Sequence, residues 1–90
     1  MKVEFDAAKR AGTLEQRGLD MARASEVFDG ASLTVEDDRM DYGETRYNTI
    51  GFLDERMVVL VWTPRSDVHR IISMRKANDR EKAIYEPRFR

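Results

Sequence analysis

The sequence contains no cysteine, so neither a disulfide framework nor thiolate chemistry is available to it. It has a single histidine, His69, which leaves no clustered imidazoles for a metal centre. Two prolines and five glycines are too few for a flexible linker, and no internal repeat or low-complexity tract divides the 90 residues. No apolar run approaches the roughly 20 residues of a membrane span. The opening residues MKVEFD lack the apolar core of a signal peptide, so a cytoplasmic protein with no membrane partner is expected. Phosphate-cradling glycine loops and nucleophilic triads are also missing, and the acidic pairs Asp37-Asp38 and Asp54-Glu55 fall in predicted turns with no further ligands. No cofactor is expected. The chemistry left is that of lysine, arginine, tyrosine and carboxylate.

What is present suits one compact domain, residues 1–90, with one core. Hydrophobic residues make up 41% of the chain, enough to fold, while 37% are charged against an average of about 25%. The net charge of −1 hides a segregation. Residues 1–45 carry 11 acidic and 6 basic side chains, and residues 46–90 carry 6 acidic and 10 basic, so the halves stand at −5 and +4. A basic half of this kind suits contact with nucleic acid or an acidic partner.

The order of elements is readable. Lys2 to Phe5 is a short strand, and Asp6 is a good N-cap for a helix that stops near Gly18. That helix carries Ala7, Ala8, Ala11 and Leu14 at helical spacing, with Lys9, Thr13 and Arg17 as a polar strip on the opposite side. Asp20 caps a second helix with Met21, Ala24, Val27 and Phe28 as its buried stripe, broken by Asp29-Gly30. A four-stranded antiparallel meander follows from residue 33 to residue 76, with residues 2–5 as a candidate fifth strand. Its centre is the continuous apolar run Met57 to Trp62, which needs cover on both faces. A last helix from about Asp79 to Arg88 turns Ala83 and Ile84 inward. Helices, a consecutive antiparallel sheet and a closing helix make an α+β fold.

The cations of residues 70–81, RIISMRKANDRE, draw attention because fixed positive charge suits phosphates and the charge that develops when they react. Alternation along Val68 to Lys76 places His69, Ile71, Ser73 and Arg75 on one face and Arg70, Ile72, Met74 and Lys76 on the other. A flat strand therefore cannot aim Arg70 and Arg75 into one pocket; a bulge or the strand's edge must bring them together, or one of them has another job. Glu81 has two readings. It can orient an arginine or accept a proton, or it can complete a capping box with Asn78. His69, taken as a surface residue, stays outside the core site.

These residues carry a likeness. Phe5-Asp6-x-x-Lys9, Tyr42-Gly43-Glu44-x-Arg46-x-x-x-Ile50-Gly51 and the run from Arg70 to Glu81 together resemble the BrnT-type toxins, small ribonucleases of bacterial toxin–antitoxin pairs related in fold to RelE. The resemblance implies a RelE-like antiparallel sheet of four to five strands with two N-terminal helices and a C-terminal helix. It implies a metal-independent endoribonuclease that cuts RNA and inhibits translation and growth. It also implies a BrnA-like ribbon-helix-helix antitoxin in a hetero-oligomer, with operator DNA bound only through the antitoxin. Lys9, Arg75 and Glu81 are then the expected catalytic set, and Arg17, Arg46, Arg70, Lys76 and Arg80 the expected RNA-binding set. BrnT-like sequences favour Lys, Asn and His along the first helix, where this chain has Lys9, Thr13 and Arg17. Arginine stays protonated and is no ordinary base, so an inactive relative that only binds RNA or antitoxin is a second reading. A DNA-binding regulator is a third, although no basic recognition helix is visible.

Overall fold

The computed structural model describes residues 2–90. In chain order the elements are β1 (Val3–Phe5), α1 (Ala7–Arg17), a 3-10 turn (Met21–Arg23), α2 (Ala24–Asp29), β2 (Leu33–Asp37), β3 (Arg46–Leu53), β4 (Arg56–Arg65), β5 (Val68–Lys76), α3 (Asp79–Tyr85) and a closing 3-10 turn (Glu86–Phe89). The helix boundaries follow local chemistry. Asp6 accepts hydrogen bonds from the amides of Ala8 and Lys9, and Gly18 ends α1 in the left-handed conformation at φ 69°. Asp20 caps the 3-10 turn through the amide of Ala22.

The five strands form one sheet in the order β1-β5-β4-β3-β2, with β4 at its centre as its apolar run requires. The meander β2-β3-β4-β5 is antiparallel. The sheet as a whole is mixed, because β1 pairs with β5 in parallel, which corrects the expectation of a purely antiparallel sheet. The long connection through α1 and α2 allows the chain to return with that polarity. Between β3 and β4, Asp54 and Glu55 take φ of 51° and 66°, the left-handed pair that a two-residue hairpin matched to strand twist demands.

One face of the sheet buries Leu53, Val58, Leu60, Trp62, Ile71 and Met74 against Leu19, Met21, Ala24 and Val27. Gly51 is part of this packing: a Cβ there would lie 2.6 Å from Cγ1 of Val27, so α2 sits closer than any other residue would permit. His69 belongs to the same layer and is half-buried rather than a free surface residue. Its ring stacks on Trp62 at 3.9 Å and meets Phe28 edge-on at 5.0 Å. Burial pushes its pKa down, which keeps the ring neutral.

The opposite face holds Ile50, Met57, Val59 and Ala77, covered at one end by Phe52, Tyr85 and Phe89. Ala83 and Ile84, expected to turn inward, are exposed instead. Tyr85 and Phe89 offer more apolar area than Ala83 and Ile84, and α3 rotates to bury them.

Strand β5 departs from simple alternation. Trp62 pairs with Ile71 but Val61 pairs with Ser73, which leaves Ile72 as the extra residue of a bulge. Paired residues share a face, and Val59, Val61 and Thr63 alternate onto one side of β4. Their partners Arg75, Ser73 and Arg70 therefore share a face as well. Of the alternatives left by simple alternation, the bulge is the one realised, and its one inserted residue brings Arg70 and Arg75 to the same face.

Candidate functional site

The sheet edge at β5 explains the orientation of α1. β1 covers only His69, Arg70 and Ile71, so the outer carbonyls of the rest of β5 lack a strand partner. Lys9 Nζ donates to the carbonyl of Ile72 at 2.9 Å, and the guanidinium of Arg17 donates to that of Met74 at 2.9 Å. The polar strip of α1 thus faces the sheet, and Ala7, Ala8, Ala11 and Leu14 face outward, the reverse of an ordinary amphipathic packing. Alanine methyls gain little from burial, whereas edge carbonyls need donors. Between α1 and β5 lies a groove of about 260 Å³ lined by Lys9, Gly12, Thr13, Gln16, Arg17, Ile72 and Ser73.

Arg75 stands two residues beyond Ser73 on the face that the bulge creates. Its guanidinium donates twice to Glu81, at 2.7 and 2.8 Å. The same Glu81 accepts from the amide of Asn78 at 2.9 Å, and Asn78 Oδ1 accepts from the amide of Glu81 at 2.8 Å. Both readings of Glu81 are therefore met at once: it closes the capping box and it clamps Arg75. The hydrogen bonds from Arg75 hold the Glu81 carboxyl below its usual range, and Glu81 in turn raises the pKa of Arg75. An acid so held is a weak proton acceptor and a good positioning group.

Arg70 shares the face of Arg75 but pairs with Glu4 at 3.0 Å. Its charge and that of Lys9 both act on Asp6, whose pKa is lowered first by the amides of Lys9 and Ala8. Arg46 lies on β3 with its guanidinium 4.1 Å above the ring of Tyr42, and it makes no ion pair among the described residues. Lys76 lines a separate pocket of about 230 Å³ with Phe52, Glu55, Arg56, Met57, Lys82 and Glu86. Arg80 is exposed in the first turn of α3. Neither Lys76 nor Arg80 is drawn into the groove beside Arg75.

Several residues at this face escape a reading of the sequence. Asp37 ends β2 as a buried carboxylate, bonded by Arg39 Nε at 2.9 Å and its second nitrogen at 3.0 Å, and by the Tyr42 hydroxyl at 3.3 Å. Asp37 pairs with Arg46 on the face that carries Ser73 and Arg75, so the connection from β2 to β3 rises from that same face. Asn48, Val61 and Ser73 form one rung across the strands of this face. The sequence signal for this wall was thin: Asp37 stood in an acidic stretch that reads as an ordinary turn.

A family model described as the ribonuclease toxin BrnT of type II toxin–antitoxin systems matches residues 5–81. The chain belongs to the BrnT family. No curated protein is similar enough to count as a match. The matched span includes the groove residues of α1, the Tyr42 to Gly51 segment and the Arg75–Glu81 clamp. Membership makes this a ribonuclease toxin at the level of the family, and a type II toxin implies an antitoxin partner. No helix among the described residues is long and apolar enough to cross a membrane.

Proposed function

We propose that this BrnT chain is an endoribonuclease that cuts single-stranded RNA without a metal ion, using the groove between α1 and β5 together with the adjoining face of Arg75. The observation that carries the reading is a pair of cations that form no salt bridge among the described residues. Lys9 and Arg17 are held by backbone carbonyls rather than by acids, so their charge remains available to a phosphate. Arg39, Arg70 and Arg75, by contrast, each have an acidic partner.

In this reaction the 2′-oxygen of one nucleotide bonds to the adjacent phosphorus while the bond from phosphorus to the 5′-oxygen breaks. The products are a 2′,3′-cyclic phosphate and a 5′-hydroxyl. The substrate supplies its nucleophile, and the protein supplies orientation and charge. Arg75, aimed by Glu81, receives the charge that builds on the non-bridging oxygens. Lys9 is placed to hold the phosphate and to donate to the departing oxygen, and Arg17 holds the neighbouring phosphate. Arg46 and Arg70 guide the strand, with Lys76 and Arg80 as outlying contacts. The 2′-hydroxyl proton passes to water, since His69 lies on the other face of the sheet and Glu81 is held as a carboxylate by Arg75.

Cleavage of cellular RNA would inhibit translation and growth in the cytoplasm. A BrnA-like ribbon-helix-helix antitoxin that masks the basic groove would form a hetero-oligomer and bring operator DNA with it. The mixed sheet with helices before and after its meander fits a RelE-like ancestry for one domain over residues 1–90. The decisive substrate is an RNA with one 2′-deoxy substitution at its mapped cut site. Cutting at that bond should stop, while cutting elsewhere survives EDTA; continued cleavage there, or loss of all activity on chelation, would sink the mechanism. Arg75→Ala should lower the single-turnover rate by about 10²-fold or more.

A specific observation also favours the reading as an inactive binder. The family's histidine position holds Arg17, and the sole histidine is half-buried and stacked on Trp62. RNA binding by the groove with no cleavage of any substrate, and no growth arrest on induction, would establish it.

A further inference from the structure

We propose that Tyr42 and Arg46 form a nucleobase-stacking platform, so that one base of the bound strand is held by stacking while Arg75 receives the scissile phosphate. The inference rests on the ribonuclease reading and names how the same site grips single-stranded RNA. Four observations carry it. The Arg46 guanidinium lies 4.1 Å above the Tyr42 ring, and both side chains are half-exposed. A stacked cation and aromatic ring presents the flat surface on which unpaired bases are bound.

The platform is fixed at both ends. Asp37 pairs with Arg46 in the β2–β3 register, which closes the connection of residues 38–45 onto itself. The buried Asp37 carboxylate accepts from the Tyr42 hydroxyl at 3.3 Å, and Gly43 turns the chain at φ 74° with its amide bonded to Asp41 at 2.9 Å. A ring held in this way loses little freedom when a base stacks on it.

Charge separates Arg46 from its neighbours. It makes no ion pair among the described residues, whereas Arg39 and Arg75 each hold a carboxylate. Position completes the case. Arg46 on β3 shares the face of Ser73 and Arg75 on β5: it is level with Arg70 across Thr63, while Ser73 lies two strands across and two residues along, and Arg75 two strands across and four residues along, about 16 Å between backbones. The rung between them, Asn48 and the half-exposed Val61, is an open floor. That diagonal suits a short run of nucleotides laid across the face, with a base on the platform at one end and a phosphate at Arg75 at the other.

The test uses a 2′-O-methyl RNA, which cannot be cut by 2′-oxygen attack, carrying 2-aminopurine as a fluorescent base and an abasic residue at each position in turn. Tyr42→Leu should raise Kd by about 5- to 150-fold and abolish the stacking quench. Tyr42→Phe, which keeps the ring, should bind close to the wild type. Arg46→Lys, which keeps the charge but not the plane, should also lose the quench. At one abasic position the wild type should lose the same factor, and Tyr42→Leu should lose nothing further. If Tyr42→Leu binds like the wild type, or weakens every abasic RNA as much as the intact one, the platform is refuted. Wild-type protein that cuts RNA under either of those outcomes leaves the ribonuclease reading standing; wild-type protein that binds no RNA overturns both.

Discussion

Replacing Glu81 by Gln separates the two jobs that this side chain performs. Gln can still reach back to the amide of Asn78, so the capping box survives, but the anionic partner of Arg75 is gone. Hydrogen bonds to charged groups contribute about 1.5–3 kcal/mol when desolvated. Here the Arg75 side chain is 40% exposed and that of Glu81 21%, so water screens the pair and about 1 kcal/mol or less is expected from it. The fold should therefore barely notice. The rate should notice, because an arginine released from a two-point clamp wanders, and a misplacement of about 1 Å can cost about 10²-fold. Asn78→Ala is the complementary change. It removes the cap at a cost of about 0.5–2 kcal/mol, each kcal/mol lowering Tm by about 4–8 °C for a domain of this size, and it leaves the Arg75–Glu81 contact in place. Single-turnover cleavage and thermal melts on both variants decide the matter. Glu81→Gln should be slow and stable, and Asn78→Ala should be fast and less stable. If Glu81→Gln cuts at the wild-type rate, Glu81 is a cap and nothing more.

Three further outcomes are expected. Gly51→Ala drives a methyl to within 2.6 Å of Val27, and overpacking of about 1–3 kcal/mol should lower Tm accordingly, with α2 displaced in a crystal structure; an unchanged Tm would contradict the close packing. The hydrogen bonds from Arg10 and from the amide of Ala22 lower the Asp20 pKa from 3.8 to about 2, so its contribution is present above about pH 4 and is lost as pH falls towards 2. Tm measured against pH should show that loss in the wild type and a flatter profile in Asp20→Asn. Lys9→Ala and Arg17→Ala should each reduce the slope of log Kd against log salt by about 0.7 for single-stranded RNA, and an unchanged slope in both would remove the groove from the RNA path.

Much of this was legible from residue type and spacing. The run Met57 to Trp62 demanded cover on both faces and became the central strand. Asp6, Gly18, Asp20 and Asn78 marked helix ends because their side chains or φ preferences satisfy terminal amides and carbonyls locally. The failures share a physical cause, which is that they depend on partners far along the chain. A period of two cannot register the inserted Ile72, so alternation alone could not choose the bulge that brings Arg70 and Arg75 to one face. Ala83 and Ile84 looked like the inward stripe of α3 until Phe52, from a strand, offered Tyr85 and Phe89 a better contact. Arg39, Asp37 and Tyr42 read as a polar turn, and only the register of β2 on β3 turns them towards the site.

The orientation of α1 joins fold to function most directly. A parallel strand as short as β1 leaves part of β5 bare, and bare carbonyls at a sheet edge need donors or a covering element. α1 covers that edge with lysine and arginine, groups that donate hydrogen bonds and cannot be neutralised by the carbonyls they bond. The protection of the edge thus leaves two positive charges along a groove with no salt-bridge partner among the described residues. A phosphate entering the groove competes with two carbonyls rather than with two carboxylates, which is the easier exchange. The same reasoning explains why arginine is tolerable at the Arg17 position: it supplies the edge with a donor to the Met74 carbonyl, whichever residue ends up moving the proton.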